Sequence, residues 1–384
     1  MDAPSALPRA TFASPPREAA GPFAWLRANL FSSWSNAALT VLALWLVYQT
    51  AAGLIGWAIL DATWEGDDGT ACAGEHAGAC WPYAQAWFGQ FVYGRYPDAE
   101  RWRVNLTYAL AVAGLAPLML PQVPGKLWSC LYLLAVFPVL AVILLAGGVF
   151  GLPHVPTDLW GGLLVTLVIS STGIAAAFPI GVVLALGRRS PMPIVRWLSV
   201  GFIEFVRGVP LITLLFMASV MLPLFLPERW TIDKLVRALI IVALFSAAYL
   251  AEVIRGGLQA IPRGQFEAAD ALGLSYAHKM GLIVLPQALK IVIPGIVNTF
   301  IGLFKDTSLV LIIGIFDLLG MVQSSLSAQR WLSPATPMTG YVVAGLVFWV
   351  FCFSMSRYSQ FLERRLAVDG RRAAPKPAPD PGVG

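Results

Sequence analysis

The chain has 384 residues, 58% of them hydrophobic and 12% charged, with a mean hydropathy of +0.71. That composition excludes a soluble globular domain and places the chain in the membrane class. The net charge of +5 fits basic residues beside apolar spans at a cytoplasmic face, and no basic and aromatic groove pattern supports nucleic-acid binding.

Chemistry-bearing motifs are missing from the sequence. Four cysteines make no disulfide scaffold, and Cys130 and Cys352 fall inside apolar runs where inert burial is the default. His76, His154 and His278 are scattered without metal-ligand spacing, so no metal site is expected. There is no H-E-x-x-H, no G-x-S-x-G and no Walker A sequence. If ATP drives this protein, another subunit must bind it.

Residues 1–22 are rich in Ala and Pro and read as a disordered cytoplasmic tail. They are not a cleavable signal, because the apolar run begins only near Ala37 and no small-residue cleavage site follows it. Residues 23–158 carry three expected spans: Asn36 to Leu60, a short one from Val104 to Leu120, and Leu127 to Phe150. Between the first two lies a polar loop, 61–103, with seven acidic and three basic residues. Placed in the periplasm, its Cys72 and Cys80 can pair; the alternative is two free thiols. Trp81, Tyr83, Trp87, Phe88, Tyr93 and Tyr96 read as an interfacial aromatic belt.

A second unit, 159–365, begins at Leu159. Its first span runs to Arg188 and carries Gly161, Gly162, Ser170, Ser171, Gly173 and Gly181, small residues that let helices approach closely in lipid. The next runs from about Ile194 to Leu226. On it Glu204 and Arg207 are spaced to pair on one face, and Pro210 should kink the helix. Leu235 to Ile254 follows. Next comes a polar hairpin, 262–286. Pro262 suits a first helical turn, Gly273 a left-handed stop, Ser275 a cap, and Pro286 the opening of the next span. Glu267 is favoured near a helix start, and Ala268 with Ala269 offers a smooth face. Ala288 to Phe304 is the seventh span.

Lys305, Asp306, Thr307 and Ser308 then stand before a run, Leu309 to Gly320, too short to cross and so expected to be re-entrant or interfacial. They either line a watery passage or cap a helix at the outer surface. Tyr341 to Gln360 is the eighth span, and 366–384 reads as a disordered cytoplasmic tail. The expected fold is an all-α polytopic membrane helix bundle of about eight transmembrane helices. With both termini in the cytoplasm, 18 Lys and Arg lie inside and 8 outside, as the positive-inside rule requires.

The hairpin resembles the EAA loop of ABC-importer permeases: Glu267-Ala268-Ala269, then Gly273, then Ile283, Leu285 and Pro286. The alternative is an amphipathic hairpin resting on lipid. Arg207-Gly208-Val209-Pro210-Leu211, Glu252-Val253-Ile254-Arg255-Gly256-Gly257 and Lys305-Asp306-Thr307-Ser308-Leu309 are similar to the polar amino-acid branch (histidine, glutamine, glutamate and arginine importers). The leader, with Phe31-Ser32-Ser33-Trp34, Gly89-Gln90-Phe91-Val92-Tyr93-Gly94-Arg95-Tyr96-Pro97 and Arg101-Trp102-Arg103, resembles the larger permease subunit of the general L-amino-acid importer.

The resemblance implies a non-enzymatic bacterial inner-membrane subunit with 262–286 as its coupling loop. Its implied partners are a second, related permease chain, a dimer of cytosolic ATPase subunits that hold the ATP and Mg, a periplasmic amino-acid-binding protein and the lipid bilayer. Arg207 either snorkels to the inner headgroups or makes a contact near the ATPase. The rival reading is a secondary amino-acid transporter or channel, but no internal repeat is present, and Glu204 and Glu252 sit near span ends.

Overall fold

The computed structural model describes residues 21–74, 77–120, 122–123, 125–225, 227 and 232–373. Most of the two expected tails, 1–20 and 374–384, lies outside the described residues, as does His76. Among the described residues the regular structure is helical, with three isolated bridges. This follows from the solvent: in hydrocarbon a helix satisfies its own backbone.

The leader contains α1 (Pro22–Asn29), α2 (Trp34–Ile55), α3 (Trp81–Tyr93), α4 (Arg101–Met119) and α5 (Lys126–Ala146). Ser33 caps α2 by accepting the Asn36 N–H at 3.2 Å. No residue of α2 is buried. Helices α4 and α5 pack closely at Gly114, where an added Cβ would come within 2.6 Å of Leu133 and 2.7 Å of Tyr132.

The second unit holds α6 (Gly162–Arg188), α7 (Pro193–Gly208), α8 (Leu211–Phe225), α9 (Lys234–Ala260), α10 (Arg263–Ala271), α11 (Tyr276–Ile313), α12 (Leu318–Ser325) and α13 (Ala335–Ala373). Among the described residues, six helices are long and apolar enough to cross a membrane, or seven if α7 and α8 form one broken span. The expected eight also counts α4. That helix has 19 residues, about 28 Å at 1.5 Å per residue, and opens with Arg101, Arg103 and Asn105. Pro210 does more than kink: α7 and α8 meet at 101°. The last helix runs to Ala373, past residue 366 where the tail is expected to begin.

Helices α6 and α9 form the spine. At Gly181 an added Cβ would stand 2.9 Å from Leu250 Cβ, so only glycine allows this approach. The buried clusters do not respect the 158/159 boundary. Tyr96, Val104 and Leu145 of the leader share one with Leu164, Ile169, Leu215 and Val242. Cys72, Cys80, Tyr83 and Phe91 share another with Leu318, Met321, Val322 and Trp331.

The loop 61–103 therefore packs against the second unit. Cys72 and Cys80 are bonded to each other, with Cα atoms 5.7 Å apart. Cys80 N–H donates to Thr339 Oγ1 at 2.9 Å, Arg330 Nε donates to the Asp67 carbonyl at 3.0 Å, and Tyr83 and Ser325 hydroxyls meet at 2.5 Å. At the loop's exposed edge, hydrogen bonds from the Thr70 hydroxyl and N–H hold the Asp68 carboxyl below its usual range. The aromatic-belt expectation needs correcting, because Tyr83 and Tyr96 are fully buried. Tyr96 donates to the Leu145 carbonyl at 2.8 Å and accepts from the buried Arg103 at 2.7 Å. Phe88 is exposed as expected.

Candidate functional site

The hairpin between α9 and α11 is a compact, protruding unit. Arg263 is its first helical residue, so Pro262 sits one position earlier than expected, as the N-cap. Gly273 has φ +70°, a left-handed geometry that costs an L side chain about 1 kcal/mol or more. Its N–H donates to the Asp270 carbonyl at 2.9 Å, and Leu274 N–H donates to Ala269 at 3.2 Å, so the last carbonyls of α10 are satisfied. Ser275 occupies the next N-cap, but its hydroxyl pairs with His278 Nδ1 at 2.8 Å rather than with a backbone N–H. Pro286 is, as expected, in the first turn of the α-helical stretch Leu285–Asp306, which continues within α11 directly from a π turn at Lys279–Val284.

The hairpin is braced from two sides. Lys279 Nζ lies 2.6 Å from Asp270 Oδ1. Arg189, just past α6, donates to the Leu258 carbonyl at 2.9 Å and lays its guanidinium 5.8 Å from the Phe266 ring. Beneath, Ile254, Leu258, Ile261, Met280, Val284 and Ala288 form one buried cluster, with Leu285 packed against it.

The motif residues divide between presentation and support. Glu267, Ala268, Gly273 and Pro286 are exposed, Ile283 and Leu285 are half-buried, and Ala269 is fully buried. The smooth face therefore rests on Ala268 alone, while Ala269 lets α10 sit close to its base. Leu272 is 75% exposed and Tyr276 53%. Neither belongs to the motif. The signal for both was an apolar residue flanking a glycine stop in a polar hairpin.

A charged cluster links three helices at the hairpin end. Arg188 Nη1 lies 2.8 Å from Glu204 Oε1, and Arg255 Nη2 lies 2.7 Å from Glu252 Oε2. Arg207 Nη1 reaches Glu252 at 3.6 Å. The expected Glu204–Arg207 pair on one helix face is thus replaced by pairs that cross between helices, which the α6–α7 turn makes possible.

Lys305, Asp306, Thr307 and Ser308 mark the change of α11 from α-helix to the 3-10 segment Thr307–Ile313. The helical path continues past Ser308 for a further five residues, to Ile313, while Thr307 is the C-cap of the α-helical part Leu285–Asp306. Gly314, φ +73°, then turns the chain into α12, where Asp317 Oδ1 accepts the Gly320 N–H at 2.8 Å. This is the short run expected to be re-entrant. Lys305 is exposed and Asp306 half-buried. Thr307 is fully buried, and its hydroxyl donates to the Phe304 carbonyl at 2.8 Å; the Ser308 hydroxyl donates to Lys305 at 2.9 Å. Only Lys305 and Asp306 have side chains free of such local bonds.

The family model described as binding-protein-dependent transport system inner membrane component matches residues 177–368. The chain is 54% identical to the inner membrane amino-acid ABC transporter permease protein YhdY of Escherichia coli (strain K12), covering 89% of this chain and 92% of that protein. It is 42% identical to the glutamate/glutamine/aspartate/asparagine transport system permease protein BztC of Rhodobacter capsulatus, covering 91% and 95%. A solved amino acid ABC transporter with histidines is 29% identical over 53% of this chain and 92% of that chain, with a TM-score of 0.47. The chain belongs to the family of binding-protein-dependent transport system inner membrane components and is a membrane subunit of a transport system.

Proposed function

We propose that this chain is the passage-forming permease subunit of an ATP-driven importer for L-amino acids. The observation that carries the coupling role is the hairpin: a braced unit that holds Glu267, Ala268, Leu272 and Tyr276 outward from the helix bundle. The relatives' names supply the substrate class. In this reading the hairpin and both termini face the cytoplasm. A dimer of ATPase subunits binds ATP and Mg there and seats the hairpin. A second permease chain completes the passage, and a periplasmic amino-acid-binding protein delivers the substrate. Closure of the ATPases moves the hairpin, and the Arg189 and Lys279 braces pass that movement to α6 and α11. Such a mechanism needs a two-state element whose balance the nucleotide biases.

The test is to purify the tagged chain in mild detergent from its native host and identify its partners. The complex is then reconstituted in vesicles with the binding protein, and labelled L-amino acids are offered with and without ATP. Uptake that requires ATP and a co-purified ATPase supports the reading. Uptake by this chain alone, driven by an ion gradient, would replace it with a secondary transporter.

A further inference from the structure

Helix α7 carries three kinds of surface. Ser199, Ile203 and Val206 are buried, and Ile203 joins Ala185, Ala251 and Ile254 in one cluster. Ile194, Trp197, Leu198 and Phe205 are 61% to 82% exposed; at 3.6 residues per turn they share an arc of about 100°. Arg196, Glu204 and Arg207, all exposed, fall on the arc that remains. A helix crossing hydrocarbon beside a bundle needs two faces, one for protein and one for lipid. A third, charged face belongs to a helix at the membrane surface.

The contacts of α7 keep it at one level of the bundle. Ser199 crowds Gly187, next to the end of α6, so closely that a Cβ there would not fit. Glu204 meets Arg188, the last residue of α6, and Arg207 meets Glu252. Arg188 reaches Glu252 too, so these partners stand side by side. From Ser199 to Arg207, about 12 Å of helix, the depth along α6 and α9 hardly changes. Helix α7 therefore lies across the two spanning helices near their hairpin ends. The 101° turn that follows sends α8 along them instead, where Leu211 and Leu215 join Leu235, Ala238 and Val242 of α9.

With α6 and α9 crossing the bilayer, this attitude puts the axis of α7 near the membrane plane. Its apolar stripe and charged face, side by side, match the boundary between acyl chains and headgroups, and Trp197 suits that level. Arg188, Arg196, Arg207 and Arg255 outnumber Glu204 and Glu252 here, an excess of positive charge that anionic headgroups complement. We propose that α7 is an interfacial anchor docked on the leaflet at the hairpin end. Ile194, Trp197, Leu198 and Phe205 enter the acyl chains, and Arg196 meets an anionic phosphate headgroup. The anchor ties the ion cluster beside the hairpin to the leaflet.

The test uses the full chain in its purified complex, in lipid nanodiscs, with Cys130→Ser and Cys352→Ala as background. Nitroxides are placed singly at Ile194→Cys, Leu198→Cys and Phe205→Cys, exposed positions where the variants should fold. Accessibility to oxygen and to a nickel chelate gives each depth. All three should lie about 5–10 Å into the headgroup–acyl boundary, at depths agreeing within about 5 Å. A spanning α7 would separate positions 194 and 205 by about 16 Å and overturn the anchor. So would nitroxides reached by neither probe, the mark of a protein partner, or by nickel alone, the mark of water. For the headgroup, a fluorophore at Leu198→Cys is quenched by headgroup-spin-labelled phosphatidylglycerol and, separately, phosphatidylcholine. With Arg196 present, quenching should favour phosphatidylglycerol by about fivefold, the scale of one basic residue at an anionic surface; Arg196→Gln should remove that preference. Equal quenching with Arg196 in place, or a preference unchanged in Arg196→Gln, would overturn the headgroup contact.

Discussion

Arg188 Nη1 stands 2.7 Å from Glu252 Oε1 and joins the hairpin end of α6 to that of α9. The approach is ionic rather than a well-aligned hydrogen bond, because the same oxygen is buried without a partner that meets hydrogen-bond geometry. Glu252 is also the common counter-charge of Arg207 and Arg255. One carboxylate thus holds three guanidinium groups from α6, α7 and α9.

Removing that carboxylate should cost more than removing any one arginine. Glu252→Gln leaves three cations crowded together, and Arg188→Gln leaves two carboxylates short of a partner. A double-mutant cycle, read from thermal unfolding of the purified complex, should show coupling of about 1–3 kcal/mol between the two positions. Additive effects would show that this pair carries no interaction.

The loop 61–103 gives a chemical prediction. Closing the eight-residue separation between Cys72 and Cys80 should stabilise the loop by about 2–3 kcal/mol on the chain-entropy account. Non-reduced peptide mass spectrometry of protein from oxidising conditions should find the two joined. Cys72→Ser should make the segment more sensitive to protease. Two free thiols in such protein would sink the prediction.

Close packing makes the α6–α9 spine sensitive to a single methyl group. Gly181→Ala places a Cβ 2.9 Å from Leu250 Cβ, and overpacking of that kind costs about 1–3 kcal/mol. The purified variant should unfold at a lower temperature than wild type, whereas Gly201→Ala, with nothing within 4 Å, should not. Equal stability of the two variants would mean that the helices separate freely at Gly181.

Much of this architecture was legible in the sequence, and the misses share a cause. Hydrophobic runs locate α2, α5, α6, α9 and α13 because a bilayer sets their length. The left-handed stop at Gly273 follows from residue type alone. Sequence could not show that Tyr83 and Tyr96 are core residues, because their partners, Ser325 and the Leu145 carbonyl, are distant in the chain. It could not separate Ala268 from Ala269 either, since their difference lies in which side of α10 meets its base. Glu204 and Arg207 have the right spacing to pair, yet a partner on another helix takes each of them.

The proposal that Lys305 and Asp306 line the passage makes a narrower prediction now that their surroundings are known. Single cysteines at Lys305 and Asp306 should react with a membrane-impermeant thiol reagent, at rates that change with substrate and ATP. A cysteine at Thr307, fully buried, should react far more slowly. Constant, full reactivity at Lys305 and Asp306 in every state would remove them from the passage.

The central claim is that the 262–286 hairpin couples this chain to its ATPase. The direct measurement compares ATP-dependent uptake and ATPase retention for wild type, Glu267→Lys, Leu272→Asp and Gly273→Val, all reconstituted with the binding protein. Glu267 and Leu272 are exposed and support no buried cluster, so those two variants should assemble in the membrane normally. Gly273→Val strains the left-handed stop by about 1 kcal/mol or more. The account predicts loss of uptake together with loss of ATPase binding in all three. Wild-type uptake with the ATPase fully retained in all three would show that the coupling element lies elsewhere.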